Sequence, residues 1–253
     1  MTKILILGGG GMVGQKLANH LLASGLPGHK ALDITLFDMA FPLKQDGRLR
    51  CITGSLTDAQ NITMLAQLRP DIVFHLASIV SGEAESNFDA GWQVNMFTMW
   101  HYLEALKALH IESNQAYVPK IIFTSSIAVF GGPFPEQIDD TFLSAPQTSY
   151  GAQKASCELL LSDFSRKGFV DGISLRLPTI CVRPGKANLA ASSFFSGIIR
   201  EPLNGQKAIL PVDESVRHWH ASPRAAAGFL RHSATLDSGL LENRRALNLP
   251  GVS

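Results

Sequence analysis

The sequence of 253 residues contains little cysteine, and this scarcity excludes two classes of protein. Its three cysteines, Cys51, Cys157 and Cys181, are too few and too scattered for a disulfide framework or a zinc site. We interpret them as buried thiols of a protein in a reducing compartment, which indicates the cytoplasm. The sequence also shows no signal-peptide pattern and no apolar run of transmembrane length, so we expect no membrane segment.

The sequence also lacks an excess of either charge. Its 22 Lys and Arg residues nearly balance 21 Asp and Glu residues, giving a net charge of +1, and like charges form no run. We therefore expect neither a nucleic acid nor a membrane surface as a partner, and favour a small molecule. A chain of this length can bury a complete hydrophobic core without disulfides or metals.

A glycine cluster follows the first apolar segment. Residues 3–7 (KILIL) form a continuous apolar run typical of a buried parallel strand, and helical spacing of apolar residues begins at Val13. Gly8-x-x-Gly11-x-x-Gly14 therefore lies between a strand and a helix. Glycines there permit a tight turn, close approach of a pyrophosphate and close helix packing, while N–H groups at the helix start bind phosphates. The pattern predicts a dinucleotide site.

The next strand, ITLFD, ends at Asp38. A carboxylate at this position can accept hydrogen bonds from the adenosine ribose hydroxyls and would repel a 2′-phosphate. Met39 and Ala40 follow, so no arginine is available for such a phosphate. The sequence therefore favours NAD over NADP, although Asp38 alone is equally typical of a turn.

Strand and helix patterns continue to alternate along the chain. Predicted strands cover LRCIT (49–53), DIVFHLA (71–77), KIIFTSS (120–126) and DGISLRLP (171–178), with predicted helices over residues 57–68 and 85–111 between them. This alternation predicts an α/β fold with a Rossmann-type doubly wound parallel sheet. We assign residues 1–178 to an NAD-binding Rossmann domain and residues 179–253 to a smaller C-terminal substrate-binding region.

Two polar residues are predicted inside apolar segments. Asn95 lies on the apolar side of the helix over residues 85–111, and a buried amide needs hydrogen-bond partners. It is either a structural bridge between helix and strand or a residue that holds the active-site water and lysine. His75 lies within an apolar strand, and we interpret it as a hydrogen-bonded core histidine rather than a ligand.

Hydroxyl and amine groups provide candidate chemistry. Ser125 and Ser126 end the strand KIIFTSS, at the carboxyl edge where open α/β sheets bind ligands, although serines there can also cap a turn. Tyr150 and Lys154 are spaced so that both lie on one helix face. A fixed cation favours the phenolate form of tyrosine, so this pair can work as an acid/base. The spacing is also compatible with an ordinary exposed helix start.

Taken together, these motifs resemble the extended short-chain dehydrogenase/reductase family. The glycine motif, Asp38, HLAS (75–78), TSS (124–126) and Tyr150-x-x-x-Lys154 occur in the order and spacing of that family. Within it, the stretches HLASIVSGEAE, TSSIAVFGGPFPE and LRLPTICVRPGKANLAASSFFSGIIREPL are similar to the D-erythronate dehydrogenases. Those enzymes use NAD to oxidise the hydroxyl beside the carboxylate of a four-carbon sugar acid. Relatives continue with further helices where this chain reads NLPGVS.

The resemblance implies a set of site residues. The implied catalytic residues are Ser126, Tyr150 and Lys154. The implied NAD-binding residues are Gly8, Gly11, Met12, Val13, Gly14, Asp38, Ser55, Leu56, Leu76, Ala77, Ser78, Asn95, Ser125, Tyr150, Lys154 and Pro178. The implied substrate residues are Ser81, Ser126, Thr179 and Arg183. Ser55 replaces the aspartate that usually faces the adenine, so the backbone around Leu56 would serve there.

Arg183 is a candidate anchor for the substrate carboxylate. A planar guanidinium can hold a carboxylate through two parallel hydrogen bonds, which a sugar acid requires. A surface position or an ion pair within the protein is the alternative. The nearby run of Arg217, His218, Trp219 and His220 has no third partner at metal-ligand spacing, so we expect no metal.

We therefore expect an NAD-dependent oxidoreductase that oxidises the 2-hydroxyl of a small sugar acid, namely D-erythronate to 2-dehydro-D-erythronate. Three alternatives remain open: an L-threonine dehydrogenase, a nucleotide-sugar epimerase and a non-catalytic NAD-sensing module. The resemblance also implies a cytoplasmic homodimer that pairs through the helical segments beginning at Glu85 and Ser149.

Overall fold

The computed structural model describes residues 1–139, 141–185 and 189–253. The strands of the main sheet are β1 (Thr2–Leu7), β2 (Leu32–Asp38), β3 (Leu49–Thr53), β4 (Ile72–His75), β5 (Lys120–Ser126), β6 (Asp171–Leu177) and β9 (Ala246–Asn248). They pair in the order β3-β2-β1-β4-β5-β6-β9, and every pairing is parallel. A second sheet pairs β7 (Thr179–Ile180) with β8 (His220–Ala221). The predicted doubly wound α/β sheet is confirmed.

Eight α-helices of the described residues connect these strands. They are α1 (Met12–Ser24), α2 (Ala59–Gln67), α3 (Ser81–Ser86), α4 (Phe88–Trp92), α5 (Thr98–Glu112), α6 (Ser149–Arg166), α7 (Ser193–Leu203) and α8 (Pro223–Ser233). A π-helical turn (Gln93–Phe97) joins α4 to α5, and short 3-10 turns cover Ile127–Val129 and Ser238–Leu241. None of these helices is both long and apolar enough to cross a lipid bilayer.

Both faces of the main sheet are buried because successive strand side chains point to opposite sides. In β1, Leu5 and Leu7 pack with α2, α5 and α6, whereas Ile4 and Ile6 pack with α1 and α8. Continuous apolar strands such as KILIL are typical of a sheet that is covered by helices on both faces. Part of the predicted C-terminal region therefore belongs to the main sheet and its helices, because α8 packs against α1 and β9 pairs with β6.

The long helix predicted over residues 85–111 is interrupted in the structure. Asn87 ends α3, and its side-chain oxygen accepts a hydrogen bond from the backbone N–H of Ala90 at 3.2 Å, which begins α4. The π-helical turn then inserts an extra residue into the helical path. The apolar spacing of residues 92–106 extends across this turn, so it could not show the interruption. Asn95 lies inside the turn and is buried, as predicted.

Two predictions about buried groups are corrected. His75 is buried, but neither ring nitrogen has a hydrogen-bond partner among the described residues. Burial is the main cause that lowers the pKa of His75 to about 3, with the positive charge of Lys154 as the next cause, so the ring is neutral. Cys157 is buried as expected and Cys181 is partly buried, whereas Cys51 is exposed on the edge strand β3.

Replacing a helical glycine by alanine should have opposite effects on stability in α1, which lies close to the glycine turn, and in α8, where there is space for a side chain. A Cβ on Gly14 would lie 2.3 Å from the carbonyl oxygen of Gly8, whereas a Cβ on Gly228 in α8 meets nothing within 4 Å. We expect Gly14→Ala to lower the free energy of unfolding by about 1–3 kcal/mol, because backbone must move. Gly228→Ala should raise it by about 0.5–1 kcal/mol through helix propensity.

Urea unfolding of the two variants beside the unmodified protein measures both effects. Gly228→Ala is the matched control, because it makes the same chemical change in a helix without the close contact. Equal unfolding midpoints for the two variants would show that the close contact at Gly14 does not make a side chain there destabilising.

Candidate active site

The predicted site residues meet at one edge of the sheet because its strands are parallel. The carboxyl ends of β1, β4, β5 and β6 lie side by side, with Leu7 opposite His75 and Ser126 opposite Leu177. Four predicted site segments lie at these strand ends: the glycine turn after β1, residues 76–78 after β4, Ser126 as the last residue of β5, and residues 178–179 after β6. This is the edge where open α/β sheets bind ligands.

The glycine turn leaves room only for backbone. Gly8 has a φ of 84°, in the left-handed region that favours glycine, and a Cβ there would lie 2.6 Å from the Ala77 nitrogen. Gly11 precedes α1, and no side chain caps that helix start. Its first N–H groups, including those of Met12 and Val13, point to the position where a phosphate is bound in such folds. The turn therefore fits a dinucleotide.

Asp38 ends β2 beside this turn. One carboxylate oxygen accepts the N–H of Gly10 at 2.9 Å, and the other accepts the N–H of Met39 at 2.7 Å. These bonds fix the carboxylate at the end of the strand while leaving acceptor positions on both oxygens. Such a geometry is compatible with both interpretations of Asp38, a turn residue and a ribose acceptor.

Ser55 follows β3, and Ala77 after β4 lies against the glycine turn. The Ser55 hydroxyl lies 2.8 Å from the Thr57 hydroxyl, and the next side chain, Leu56, is buried. Leu76 donates its N–H to the Leu7 carbonyl at 2.8 Å, which places Ala77 against Gly8. The predicted adenine and pyrophosphate positions are therefore continuous along the edge of the sheet.

The helix α6 brings the predicted acid/base pair together. Its start is fixed by the Thr148 hydroxyl, which accepts the N–H of Gly151 at 3.1 Å, and by a Glu85 oxygen that accepts the N–H of Ser149 at 2.9 Å. Lys154 is 1% exposed, and its ammonium donates to the Thr124 carbonyl at 2.9 Å. The same ammonium lies 5.5 Å from the centre of the Tyr150 ring. Tyr150 is only partly buried, so its ring is accessible from the edge.

The two serines at the end of β5 have different partners. The partly exposed Ser126 hydroxyl accepts the N–H of Ala128 at 3.1 Å, which caps the following 3-10 turn and leaves its proton free to donate. The buried Ser125 hydroxyl instead donates to the Glu158 carboxylate. Any contact between Ser125 and a cofactor would therefore come from its main chain.

Asn95 connects two elements that line the site. Its side-chain oxygen accepts from the Ser78 hydroxyl at 2.9 Å and from the Ile79 N–H at 2.8 Å. Its amide nitrogen donates to the Gln153 side chain at 2.7 Å. These are the bonds of a structural bridge between the loop after β4 and α6, and no bond to Lys154 occurs among the described residues. Gln153 was not predicted from the sequence.

The predicted substrate residues lie on the C-terminal side of the edge. Ser81 begins α3 rather than lying in a loop, and its hydroxyl accepts the N–H of Ala191 at 2.9 Å. Pro178 is buried between β6 and β7. Thr179, also buried, lies 2.7 Å from the His218 ring nitrogen Nε2. The end of the predicted loop over residues 180–188 lies outside the described residues from position 186 to 188.

Arg183 is partly buried and forms no ion pair with a carboxylate in the described part of the chain. Its Nε donates to the Ile180 carbonyl at 3.1 Å, which leaves the outer guanidinium nitrogens available. Burial lowers the pKa of Arg183, and the neighbouring Tyr150 and Cys181 oppose that change. The ion-paired alternative is thus not found among the described residues. No three His, Cys, Asp or Glu residues of the described segments converge on a metal position.

The structure adds an ion pair that was not predicted. The Glu158 carboxylate accepts three hydrogen bonds from Arg176 on β6, at 2.7, 3.0 and 3.2 Å, and also the bond from Ser125. Arg176 further lies over the Phe130 ring at 4.9 Å. Glu158 follows Lys154 at the same spacing by which Lys154 follows Tyr150, so the helical pattern contained a signal for it.

Comparison with known proteins assigns the chain to a family. The model of the NAD dependent epimerase/dehydratase family matches residues 4–239. The chain belongs to this family, which confirms the resemblance to extended short-chain dehydrogenases and the prediction of NAD as its cofactor.

Individual relatives are similar over nearly the whole chain. The D-erythronate dehydrogenases of Cupriavidus necator and Haemophilus influenzae are 47% and 44% identical; each match covers 99% of this chain and 77% or 78% of the relative. The crystal structure of a nucleoside-diphosphate-sugar epimerase from Agrobacterium tumefaciens is 50% identical, with a TM-score of 0.91 over 99% of this chain and 74% of that one. An L-threonine dehydrogenase structure from Clostridium difficile, 24% identical with a TM-score of 0.82, shows the shared fold.

The ion pair between Glu158 and Arg176 makes a prediction about stability. Arg176→Met should lower the free energy of unfolding by about 3–5 kcal/mol, because it leaves a buried carboxylate without its cation. The double variant Arg176→Met with Glu158→Leu should recover most of this loss, since neither charge remains. Urea unfolding measures each value.

The exposed pair of Arg166 and Asp163, at 2.6 Å on the same helix, provides the control. Arg166→Met should change the free energy of unfolding by less than about 1 kcal/mol, because water screens this pair. A loss for Arg176→Met no larger than that of Arg166→Met would contradict a structural role for the buried pair.

Proposed function

We propose that the protein is an NAD-dependent dehydrogenase that oxidises the 2-hydroxyl of D-erythronate to give 2-dehydro-D-erythronate. The observation that carries this proposal is the convergence of Tyr150, Lys154 and Ser126 at the sheet edge that also bears the glycine turn. The names of the relatives at 47% and 44% identity support the choice of substrate.

The proposed reaction separates a proton and a hydride. When bound at the glycine turn, NAD supplies the acceptor for the hydride that leaves C2 of the acid. Tyr150 accepts the proton of the 2-hydroxyl, and Ser126 donates its free hydroxyl proton to the substrate oxygen and so holds it in place. Lys154 keeps a buried positive charge 5.5 Å from the tyrosine ring, which stabilises the phenolate. The acid thereby becomes a 2-oxo acid.

Cofactor binding is proposed for the residues along the first half of the edge. Gly8, Gly11 and Gly14 admit the pyrophosphate, and Asp38 accepts the ribose hydroxyls. We keep residues 1–178 as the NAD-binding domain and residues 179–253 as the substrate-binding region, in which β7, β8 and α7 form the part away from the main sheet. The remaining predicted NAD contacts are part of the same proposal.

Arg183 is the proposed anchor of the carboxylate. Its side chain is partly buried, its outer nitrogens have no partner among the described residues, and its charge interacts with Tyr150, the proposed base. A carboxylate held there by two hydrogen bonds would place its neighbouring C2 close to the reacting groups. Ser81 is a proposed additional contact.

A nucleotide-sugar epimerase is the second candidate, because the 50% identical structure carries that name. An epimerase would use the same Tyr150 and Lys154 but would need to bind a nucleotide diphosphate rather than a small acid. The Arg183 guanidinium, which has no carboxylate partner in the described part of the chain, favours a small acid as the ligand. The alternative of a non-catalytic module is disfavoured by the assembled Tyr150 and Lys154 pair.

The homodimer and the cytoplasmic location stay predictions. Supporting the homodimer, exposed apolar side chains occur at Phe97, which ends the π-helical turn before α5, at Trp100 of α5 and at Leu159 of α6, and Trp100 contacts Phe164 edge to face. Such side chains on adjacent helices are typical of a surface that pairs with another copy.

A substrate screen tests the proposed reaction. Purified protein with NAD should reduce the cofactor in the presence of D-erythronate, and should show less turnover with L-threonine and no conversion of nucleotide sugars. Tyr150→Phe should keep NAD affinity within a few-fold but lose most turnover, because it removes the proton acceptor and little volume. Absorbance of NADH at each substrate concentration gives kcat and KM. Conversion of nucleotide sugars without turnover of D-erythronate would instead support the epimerase.

A second prediction concerns the carboxylate. Arg183→Lys keeps the charge but loses the two-point geometry, so KM for D-erythronate should rise about ten-fold or more. NAD affinity, measured by calorimetry, should stay unchanged. The control is Lys16→Arg on the exposed side of α1, which also exchanges an ammonium and a guanidinium and should leave KM unchanged. Lys120 is less suitable for this purpose because it is ion-paired to Asp171. An unaltered KM in Arg183→Lys would place the carboxylate elsewhere.

A further inference from the structure

A hydrogen-bonded pair of side chains lies at the start of the small sheet. The Thr179 hydroxyl oxygen and His218 Nε2 are 2.7 Å apart. Thr179 follows Leu177 by two residues, and Leu177 pairs with Ser126 in the main sheet. The Thr179 hydroxyl is therefore at the same edge as the proposed catalytic groups.

The imidazole of His218 is held in a single orientation by rings on two other elements. It stacks on Phe195 of α7, with ring centres 4.6 Å apart and planes 14° apart. His220 contacts both rings from the edge, at 5.2 and 4.7 Å. The helix carrying Phe195 is tied to the strand of Thr179, because Cys181 donates to the Phe195 carbonyl and the Arg183 N–H donates to the Ser196 hydroxyl. The hydrogen bond to Thr179 thus has a rigid support.

The pair carries hydrogen-bonding groups without a net charge. Burial lowers the pKa of His218, and the neighbouring His220 lowers it further, so the ring is neutral near pH 7. A neutral imidazole has one donor and one acceptor nitrogen, and whichever role Nε2 takes fixes the complementary role of the threonine hydroxyl. Such a pair suits an uncharged hydroxyl better than a carboxylate, a phosphate or an ammonium group.

Its position beside Arg183 limits what it can contact. Arg183 follows Thr179 by four residues, and α7 contacts both segments. If Arg183 holds the carboxylate and Ser126 and Tyr150 hold the 2-hydroxyl, C3 and C4 of a four-carbon acid remain for other groups at this edge to contact, and Thr179 is one of these groups. A hydroxyl on C3 is the next polar group along that chain.

We propose that Thr179 and His218 act as one unit that recognises the 3-hydroxyl of the substrate, with Thr179 making the contact and His218 positioning its hydroxyl. This inference rests on the proposed function, in which D-erythronate is the acid oxidised. Thr179 is then a residue that determines specificity, and His218 is a positioning residue. The unit selects a polyhydroxy acid over an acid that lacks the 3-hydroxyl.

The test compares D-erythronate with (R)-2,4-dihydroxybutanoate, which lacks only the 3-hydroxyl. Wild type should prefer D-erythronate by at least about ten-fold in kcat/KM. Without the 3-hydroxyl, the acid leaves the buried Thr179–His218 pair without a hydrogen-bond partner on the substrate. Thr179→Val and His218→Phe should each reduce this ratio to within about three-fold of unity. The double variant should reduce it no further, since the two residues act together.

A binding measurement separates recognition from turnover. Calorimetry of D-erythronate with the protein saturated by NADH, where no reaction occurs, should show about ten-fold weaker binding for both single variants. Thr179→Ser and His218→Gln keep a hydrogen-bonding group at each position and should therefore retain most of the preference for D-erythronate over (R)-2,4-dihydroxybutanoate. His232→Phe, at an exposed histidine of α8, is the control and should leave the ratio unchanged.

The outcomes distinguish this inference from the function on which it rests. Turnover of D-erythronate with an unchanged ratio in both Thr179→Val and His218→Phe overturns the inference alone. Absence of turnover with either acid in wild type overturns the proposed function and this inference together. A ratio that falls in Thr179→Val but not in His218→Phe overturns the positioning role of the histidine.

Discussion

Parallel pairing of β1, β4, β5 and β6 is the constraint on which the candidate site depends. Because these four strands run in one direction, their carboxyl ends form a single edge, and every segment that follows them begins there. The glycine turn can approach Ala77 only because Gly8 has no side chain. Segments far apart in sequence thus meet at one edge, and helices cover both faces of the sheet beneath it.

The second constraint is the rotation of α6 against that edge. Tyr150, Lys154 and Glu158 lie on one helix face, and the latter two are fixed from below by Thr124, Ser125 and Arg176. The two buried charges differ in their surroundings. Glu158 is paired with a cation, whereas Lys154 meets a carbonyl and two aromatic rings and has no carboxylate partner among the described residues. A buried cation without a counter-ion is costly, and its place beside Tyr150 is consistent with a role in stabilising a phenolate.

The small sheet and α7 carry the side chains on which the proposed choice of substrate depends. A small acid needs one charged anchor and neutral groups for its hydroxyls, and the region provides Arg183 and the Thr179–His218 pair in that arrangement. A nucleotide sugar would present two phosphates instead. The high similarity to a structure named as an epimerase therefore shows the fold and the family, while the proposed choice of substrate is argued from these side chains.

Sequence alone determined the features that depend on local periodicity. The strands LRCIT and KIIFTSS coincide with β3 and β5, and the spacing of Tyr150 and Lys154 placed both on one face of α6. Only the tertiary structure decided which distant groups meet. The bond of Ser125 to Glu158, the exposure of Cys51 and the contact of Thr179 with His218 all depend on the packing of separate segments. Periodicity records the side of an element that faces the core, but it carries no information about which partner lies opposite.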